Sequence, residues 1–538
     1  MSHAPPSAAA LRKPPGQPNT GHDWQPHGRA PGRVPAVNGA LLIAGTTSGS
    51  GKSAVAAGLC RWLHRQGVRV TPFKAQSTSL SSFVTADGAE IGRAQAMQAA
   101  ASGLEPDARM NPVLLKPAIG GSEVVVLGQA VGVVDRTGYA ENAGRLLDVA
   151  LDSLSQLRRE FDVVICEGAG NPAEVSLLGP DIANTELART AGLAALLVTD
   201  AGSGGSLAAL YGTIALLSPE DQAQLAGFVI NKARAGGSDD LEPGLGVLRN
   251  LTGRPVLGVL PWTPGLWLDA DDSPGCDTRP RPLAAGGPLG HEVLRVSVVR
   301  LPRMSSFTDI DALAAEPGVL VRMAATAEEL ADADLVILPG SRATVADLAY
   351  LRERGMSEVI ASRAQAGRPV LGICGGFQML AEEISDDVES GAGTVSGLGL
   401  LPASVTFAEA KTLGRPAGTA YGVPVSGYEV HHGQVTVRGI RAEPFLDGCR
   451  SGAVWGTSWH GTLQNDQFRR SFLTDVAAFA GRDFKPAADT SFAALREASL
   501  DLLGDLVADN LDTDAVLRLI EGGPPPGLPA LPPAGARS

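Results

Sequence analysis

Along the chain, short aliphatic runs alternate with stretches whose apolar residues recur every three or four positions. The runs ALLIAGT (40–46), VRVTPFKA (68–75), FDVVICEGAG (161–170), LAALLVTD (193–200), LAGFVINK (225–232) and VLGVLP (256–261) are almost continuously hydrophobic. Runs of this kind predict strands covered on both faces by helices. Helical material follows most of them, as SAVAAGLCRWLHRQG (53–67) follows the first. The alternation predicts an open, mostly parallel α/β sheet. From Trp262 to about Gly290 proline, glycine and aspartate dominate and the pattern breaks. A second series then begins, with VLRVSVVRL (293–301), ADLVILPGS (333–341), RPVLGICGG (368–376) and GAVWGTSWHG (452–461), polar β-rich material at 402–437, and a helical tail from Ser491. No repeat of 20–50 residues is visible.

The expected organisation is two α/β domains in tandem. Residues 1–36 form a disordered tail, 37–262 the first domain, 263–290 a linker, and 291–522 the second domain with the C-terminal helices. Residues 523–538 form a second disordered tail, since both ends are proline-rich and carry little apolar material to bury.

Composition narrows the function. The 538 residues carry a formal net charge of −13 with no Lys/Arg-rich block, which speaks against nucleic acid or an anionic membrane as partner. A phosphorylated small molecule needs only one local positive site and stays compatible. The five cysteines, Cys60, Cys166, Cys276, Cys374 and Cys449, show neither CxxC nor metal-finger spacing. No zinc site, disulfide framework or tightly bound redox cofactor is therefore expected, and a cytoplasmic location is. No apolar run reaches the ~18 residues of a membrane span. A homo-oligomer is left open.

GTTSGSGKS (45–53) lies between a buried strand and a helix, where a phosphate cradle belongs. Thr46, which replaces the first glycine, and Gly49 and Gly51 would present backbone N–H groups. Lys52 would reach the β/γ-phosphates, and Ser53 would ligate Mg²⁺. Glu167 of CEGAG ends a buried strand, the edge at which ligands bind in such sheets, and suits the same metal. Asp200, ending LLVTD, is a further metal or substrate candidate. Asn231 in INKAR is expected to contact an adenine edge, because Arg234 stands where a guanine-reading aspartate would be.

In VLGICGGFQML, Cys374 falls at a strand-to-helix turn flanked by glycines. A helix N-terminus and a nearby imidazole both lower a thiol pKa. His460 in GTSWHG is the expected base. The N–H groups at Gly375 and at Gly340 of LPGSRAT are expected to form an oxyanion hole.

Together these segments resemble the cobyrinic/cobyric acid amidotransferase family, the glutamine amidotransferases of corrinoid synthesis. The strings that carry the resemblance are KAQ (74–76), TADGAEIGRAQAMQA (85–99), MNPVLLKP (110–117), CEGAGNPAE (166–174), GFVINK (227–232) and LEPGL (241–245). The second half adds RLPRMSSFTDID (300–311), LPGSRATVADL (338–348), GICGGFQML (372–380), GYEVHHG (427–433) and GTSWHG (456–461). The resemblance implies a P-loop NTPase-like, dethiobiotin-synthetase-like domain followed by a class I glutamine amidotransferase-like domain. It implies that Cys374 and His460 split glutamine, and that ammonia passes to a domain where MgATP phosphorylates carboxylates. The implied acceptor is adenosylcobyrinic acid a,c-diamide, amidated at its b, d, e and g carboxylates, with Gln76 and Asp200 as candidate substrate contacts. The sister activity that makes the a,c-diamide is the runner-up. An amidotransferase for another carboxylate, and a non-catalytic P-loop nucleotide-switch protein, are the further alternatives.

The chain departs from the family pattern in places. Thr462 stands where a third triad carboxylate usually lies, so another group must orient His460. Ser77-Thr78-Ser79 replaces Asn-Met-Ser after KAQ, and Ser203 replaces an arginine after Asp200. The tandem His431-His432 is expected to be structural or to face the domain interface rather than to hold a metal.

Overall fold

The computed structural model describes residues 36–118, 120–174, 181–234, 237–264, 266, 289–439 and 442–531. The expected N-terminal tail, nearly all of the expected linker and the last seven residues lie outside these.

Six of the aliphatic runs form one parallel sheet: β1 (Gly39–Gly45), β2 (Val70–Phe73), β3 (Val163–Glu167), β4 (Ala194–Asp200), β5 (Leu225–Ala233) and β6 (Val256–Pro261). Their order is β6-β5-β4-β1-β3-β2. Helices cover both faces, and the core residues Leu41, Ile43, Val163, Ile165, Leu196 and Val198 on one face are fully buried or nearly so. The sheet reverses direction of winding at β1, so the β1 and β3 carboxyl ends open on the crevice where ligands bind in such folds.

The second sheet comprises β7 (Leu294–Val299), β8 (Val319–Ala324), β9 (Leu335–Leu338), β10 (Val370–Ile373), β11 (Glu443–Phe445), β12 (Gly448–Ser451) and β13 (Val454–Thr457). The order is β8-β7-β9-β10-β13-β12-β11, parallel from β8 through β13 and antiparallel at the β12 and β11 edge. The β10 and β13 neighbours matter most, because they bring Cys374 and His460, each just past a strand end, to the same edge. The expected polar β-rich material forms a separate layer in which Ala403–Gly414 pairs antiparallel with Glu429–Val437.

Two expectations about the C-terminal region are corrected. The helix Phe492–Asn510 starts in the core of the second domain at Phe492, but from Leu500 onward it and the helix Thr513–Gly522 belong to the core of the first sheet: Leu500, Leu503, Val507, Leu511, Val516 and Ile520 pack with Leu41, Leu59 and Leu63. Gly58 on the helix α1 (Lys52–Arg65) permits this crossing, since a methyl there would lie 2.6 Å from Val507 Cγ2 and 2.7 Å from Leu503 O. Arg61 adds ion pairs to Glu497 and Asp501, both at 2.9 Å. The segment after Gly523 is also not wholly a free tail. Leu531 is buried, its N–H donates to Gln222 Oε1 at 2.7 Å, and Arg254 Nη1 donates to Pro529 O at 3.0 Å. A buried arginine and glutamine with open hydrogen-bonding capacity explain why a proline-rich strip docks there.

Candidate functional site

The thiol site is built on a tight turn. Cys374 has φ 50° and ψ −110°, a left-handed conformation for a non-glycine residue that costs about 1–3 kcal/mol. Its N–H donates to Thr457 O at 2.8 Å and its C=O accepts from Gln378 N at 3.0 Å, which hold the turn in place. The glycines on either side permit it. A methyl on Gly372 would lie 2.7 Å from Phe377 N, and one on Gly376 would lie 1.9 Å from Leu338 O. The following helix, α2 (Gly375–Leu380), thus presses its first turn against β9 with the sulfur at its N-terminus.

His460 meets that sulfur. Burial pushes the Cys374 thiol up, but the charge of His460 and its hydrogen bond to the sulfur outweigh this, and the thiol sits below its ordinary range. The Gly375 N–H also bonds the sulfur. Burial would depress His460, yet the Asp309 carboxylate and the thiolate overcome it and hold the imidazole well above its usual pKa. The site therefore favours the thiolate–imidazolium pair.

Asp309 is the group that orients His460, and sequence reasoning missed it. Its Oδ2 lies 2.6 Å from His460 Nδ1, and its Oδ1 accepts from Gly461 N at 2.7 Å. It sits in the first turn of the helix Thr308–Ala314, inside the string RLPRMSSFTDID. Tyr428 stacks on the imidazole with ring centroids 5.2 Å apart, and the two residues exchange backbone hydrogen bonds of 2.8 and 3.1 Å.

Both glycines expected at the oxyanion hole lie beside the thiol and its imidazole. Gly340 lies on the short strand Gly340–Ser341 paired with Met304–Ser305, and a methyl on it would come within 2.9 Å of His460 Cε1. Gly340 makes room for the imidazole. The amide that approaches Gly375 is that of Ser341, whose nitrogen would lie 2.7 Å from a methyl there.

The thiol pocket reaches into the first half of the chain. Its walls include Ser341, Cys374, His431 and His460 from one half and Leu80, Ser82 and Lys116 from the other. A buried ionic network closes the seam. Lys116 contacts Glu90 and Ser82; Lys411 Nζ lies 2.7 Å from Glu123 and 3.2 Å from Glu90; Arg342 Nη2 lies 2.8 Å from Glu123. Burial and the neighbouring Arg342 charge draw Lys116 down to about 8 despite Glu90. Burial opposes the ionised form of Glu90, but Lys116 and Lys411 hold it at about 2. Of the tandem histidines, His432 faces this seam, with Nδ1 2.9 Å from Ala408 O and Nε2 3.9 Å from Glu123. His431 lines the thiol pocket as His432 does, and neither of its ring nitrogens is hydrogen-bonded.

The phosphate loop is in place at the β1 edge. Lys52 starts α1 and is buried, with Nζ donating to Thr47 O at 2.9 Å and Gly170 O at 3.3 Å. Gly51 has φ 94°, and a methyl on it would strike Asn231 Nδ2 at 1.9 Å. Gly49 is open to solvent on its Cβ side. Ser53 Oγ donates to Glu167 Oε1 at 2.9 Å, and Glu167 is fully buried. The Ser53 hydroxyl and the Glu167 carboxylate are the oxygen donors beside the loop that would hold a hard divalent cation. Lys74 Nζ, 2.8 Å from the same Glu167 oxygen, and Gln98 on the other hold the carboxylate in position.

Three loop expectations differ from the geometry. Thr46 is not part of the cradle: its N–H continues the sheet to Val198 O at 2.9 Å and its hydroxyl bonds Thr199 at 3.0 Å. Asn231 does not present its amide to a base, because Nδ2 donates to Ser50 O at 3.1 Å and Oδ1 accepts from Lys232 N at 2.9 Å. It braces the loop from beneath. Asp200 is paired with Lys232 at 2.8 Å and accepts from Gly202 N at 2.7 Å, while Lys232 also donates to Gly49 O at 2.7 Å. Asp200 thus positions the loop through Lys232. Gln76 lies apart from the loop and accepts from the Tyr139 hydroxyl. No group of three metal-ligating side chains occurs among the described residues, and none of their helices is long and apolar enough to cross a membrane.

Comparison with known proteins adds the following. Residues 41–273 match the CobQ/CobB/MinD/ParA nucleotide binding domain, and residues 295–468 match the CobB/CobQ-like glutamine amidotransferase domain. A cobyric acid synthase of Streptomyces avermitilis is 59% identical over 503 residues, covering 92% of this chain and 99% of that protein. One from Streptomyces coelicolor is also 59% identical with the same coverage. One from Frankia casuarinae is 57% identical over 523 residues, again covering 92% of this chain and 99% of the relative.

Proposed function

The chain belongs to the cobyric acid synthase family, and from that premise we propose that it is a glutamine-hydrolysing amidoligase converting adenosylcobyrinic acid a,c-diamide to adenosylcobyric acid. The b, d, e and g carboxylates are amidated with ATP as activator and glutamine as nitrogen donor. The observation that carries this reading is the composition of the thiol pocket, whose walls combine Cys374 and His460 with Ser82 and Lys116 from the nucleotide-binding half.

The chemistry follows from the placed groups. The Cys374 thiolate attacks the glutamine side-chain amide, and its oxyanion is stabilised by the Gly375 and Ser341 amides. His460, as imidazolium, gives a proton to the leaving nitrogen, and Asp309 holds the ring and its charge. Water then attacks the thioester, with His460 now accepting the proton, and glutamate leaves. Ammonia is released beside Lys116 and Ser82, at the seam, where neutral NH₃ is shielded from bulk protons.

In the first half, the loop amides and Lys52 hold the nucleotide phosphates, and Ser53 and Glu167 would hold Mg²⁺. That ion, when bound, neutralises charge on the β- and γ-phosphates. A carboxylate of the acceptor attacks the γ-phosphorus to give an acyl phosphate and ADP; ammonia attacks the acyl carbon and phosphate leaves. The loop is held by Asn231, and by Asp200 acting through Lys232.

The test is mass spectrometry of the corrinoid after incubation with MgATP and glutamine. Each amide lowers the mass by about 1 Da, because OH is replaced by NH₂, and four steps are expected. A protein that binds ATP tightly but releases no glutamate would be a nucleotide switch. One that ignores the corrinoid would amidate another carboxylate.

A further inference from the structure

His431 is a buried imidazole with Glu429 at ion-pair distance, 3.6 Å from Nε2. Its side chain is 9% exposed, and neither Nδ1 nor Nε2 has a hydrogen-bond partner. A buried polar side chain left in this state is rare in folded proteins and marks a place where something else binds. Glu429 Oε2 stands 3.6 Å from Nε2, beyond hydrogen-bonding reach but near enough to favour the charged ring. Burial opposes that charge, and Glu429 and the nearby Cys374 thiolate outweigh it, so the imidazole is held above its ordinary range.

The ring lines the same pocket as the thiol. Its neighbour His432 lines the pocket too but has partners, with Nδ1 2.9 Å from Ala408 O and Nε2 3.9 Å from Glu123. Of the other cationic side chains lining the pocket, Lys116 is paired with Glu90 and Arg342 Nη2 with Glu123 at 2.8 Å, while Arg342 Nε keeps no hydrogen-bond partner.

We propose that His431 binds the α-carboxylate of glutamine and so selects an amino acid, rather than a simple amide, for the Cys374 site. The inference rests on the reading that Cys374 and His460 hydrolyse glutamine. With the side-chain amide at the sulfur, the only anion the substrate still offers is its α-carboxylate. An imidazolium whose Nδ1–H has no partner is the matching donor. Glu389 lines the same pocket and offers a carboxyl group for the α-ammonium.

The experiment compares hydrolysis of glutamine with that of glutamine α-methyl ester, which lacks the anion, in the full-length protein. For wild type, kcat/KM is expected to favour glutamine strongly. In His431→Ala, and in the space-filling His431→Gln, the ratio of the two kcat/KM values is expected to fall about tenfold or more, mostly through KM for glutamine. The ester reports on folding and on the thiol within the same sample. Equal losses on both substrates, or an unchanged ratio, would overturn the proposal. A wild type that hydrolyses neither would overturn the reading of the thiol site itself.

Discussion

Asp309 lies 2.6 Å from His460 Nδ1 although 151 residues separate them along the chain. The same carboxylate accepts from Gly461 N, so it fixes both the ring and the backbone that carries it. Its charge raises the pKa of His460, and His460 in turn lowers that of the Cys374 thiol. The thiolate therefore depends on a carboxylate two links away.

Asp309→Asn tests that chain of effects. Losing the carboxylate charge lowers the His460 pKa, and a less protonated imidazole supports the thiolate less, so the Cys374 pKa rises. The rate of alkylation by iodoacetamide against pH should shift its midpoint upward. Glutamine hydrolysis should fall about 10²-fold or more. An unmoved alkylation midpoint would mean that Asp309 is only a structural cap for Gly461.

This carboxylate was hidden in the sequence for a physical reason. The turn at Cys374 and the loop at Lys52 are local, since each is a strand, a tight glycine-rich turn and a helix read over about ten residues. The Asp309–His460 contact is made across the sheet by a helix that follows β7, and no spacing rule links the two. The same holds for the C-terminal helices. Their amphipathic pattern was plain, but which domain they cover depends on Gly58 accepting Val507 and Leu503 closely. Asn231 illustrates a different failure. Its strand-end position was legible, but the donation to Ser50 O that turns it into a brace is a tertiary contact.

Cys374→Ser separates the two halves. The alcohol is a far weaker nucleophile here, so glutamine-dependent amidation should fall by about 10³-fold or more. Amidation from added ammonium chloride should persist near the wild-type rate at pH 8–9, where a usable fraction is NH₃. Loss of both activities would contradict a split site.

The converse substitution is Glu167→Gln. It removes the charge that faces Ser53 and would hold the metal, while Lys74 and Gln98 still surround the side chain. ADP release and corrinoid amidation should fall by about 10²–10³-fold. Glutamate release, measured separately, should be altered far less. Equal losses in both assays would argue that Glu167 supports the fold rather than the metal.

The seam between the halves should be sensitive to acid. Against the cost of burial, Lys116 and Lys411 hold Glu90 at about 2, and His432 and Arg342 drive Glu123 lower still. In the unfolded chain both titrate near pH 4.3. Their folded values are depressed, so the stability they contribute is present above that pH and is lost as pH falls from there toward 2. Glu123→Gln should remove part of this acid dependence and cost about 3–5 kcal/mol at neutral pH, because Arg342 loses its ion-pair partner and Lys411 keeps only Glu90. Urea unfolding at several pH values would show both effects. A flat pH profile for wild type between 5 and 3 would contradict the assignment.

The most direct measurement follows the nitrogen atom. The protein is incubated with MgATP, the corrinoid a,c-diamide and unlabelled glutamine, in a large excess of ¹⁵N-ammonium, and the amides formed are read by mass spectrometry. Transfer inside the molecule should give amides carrying glutamine's ¹⁴N, with Cys374→Ser switching the product to ¹⁵N. Wild-type amides labelled with ¹⁵N in proportion to the solution pool would contradict the cooperation of the two halves.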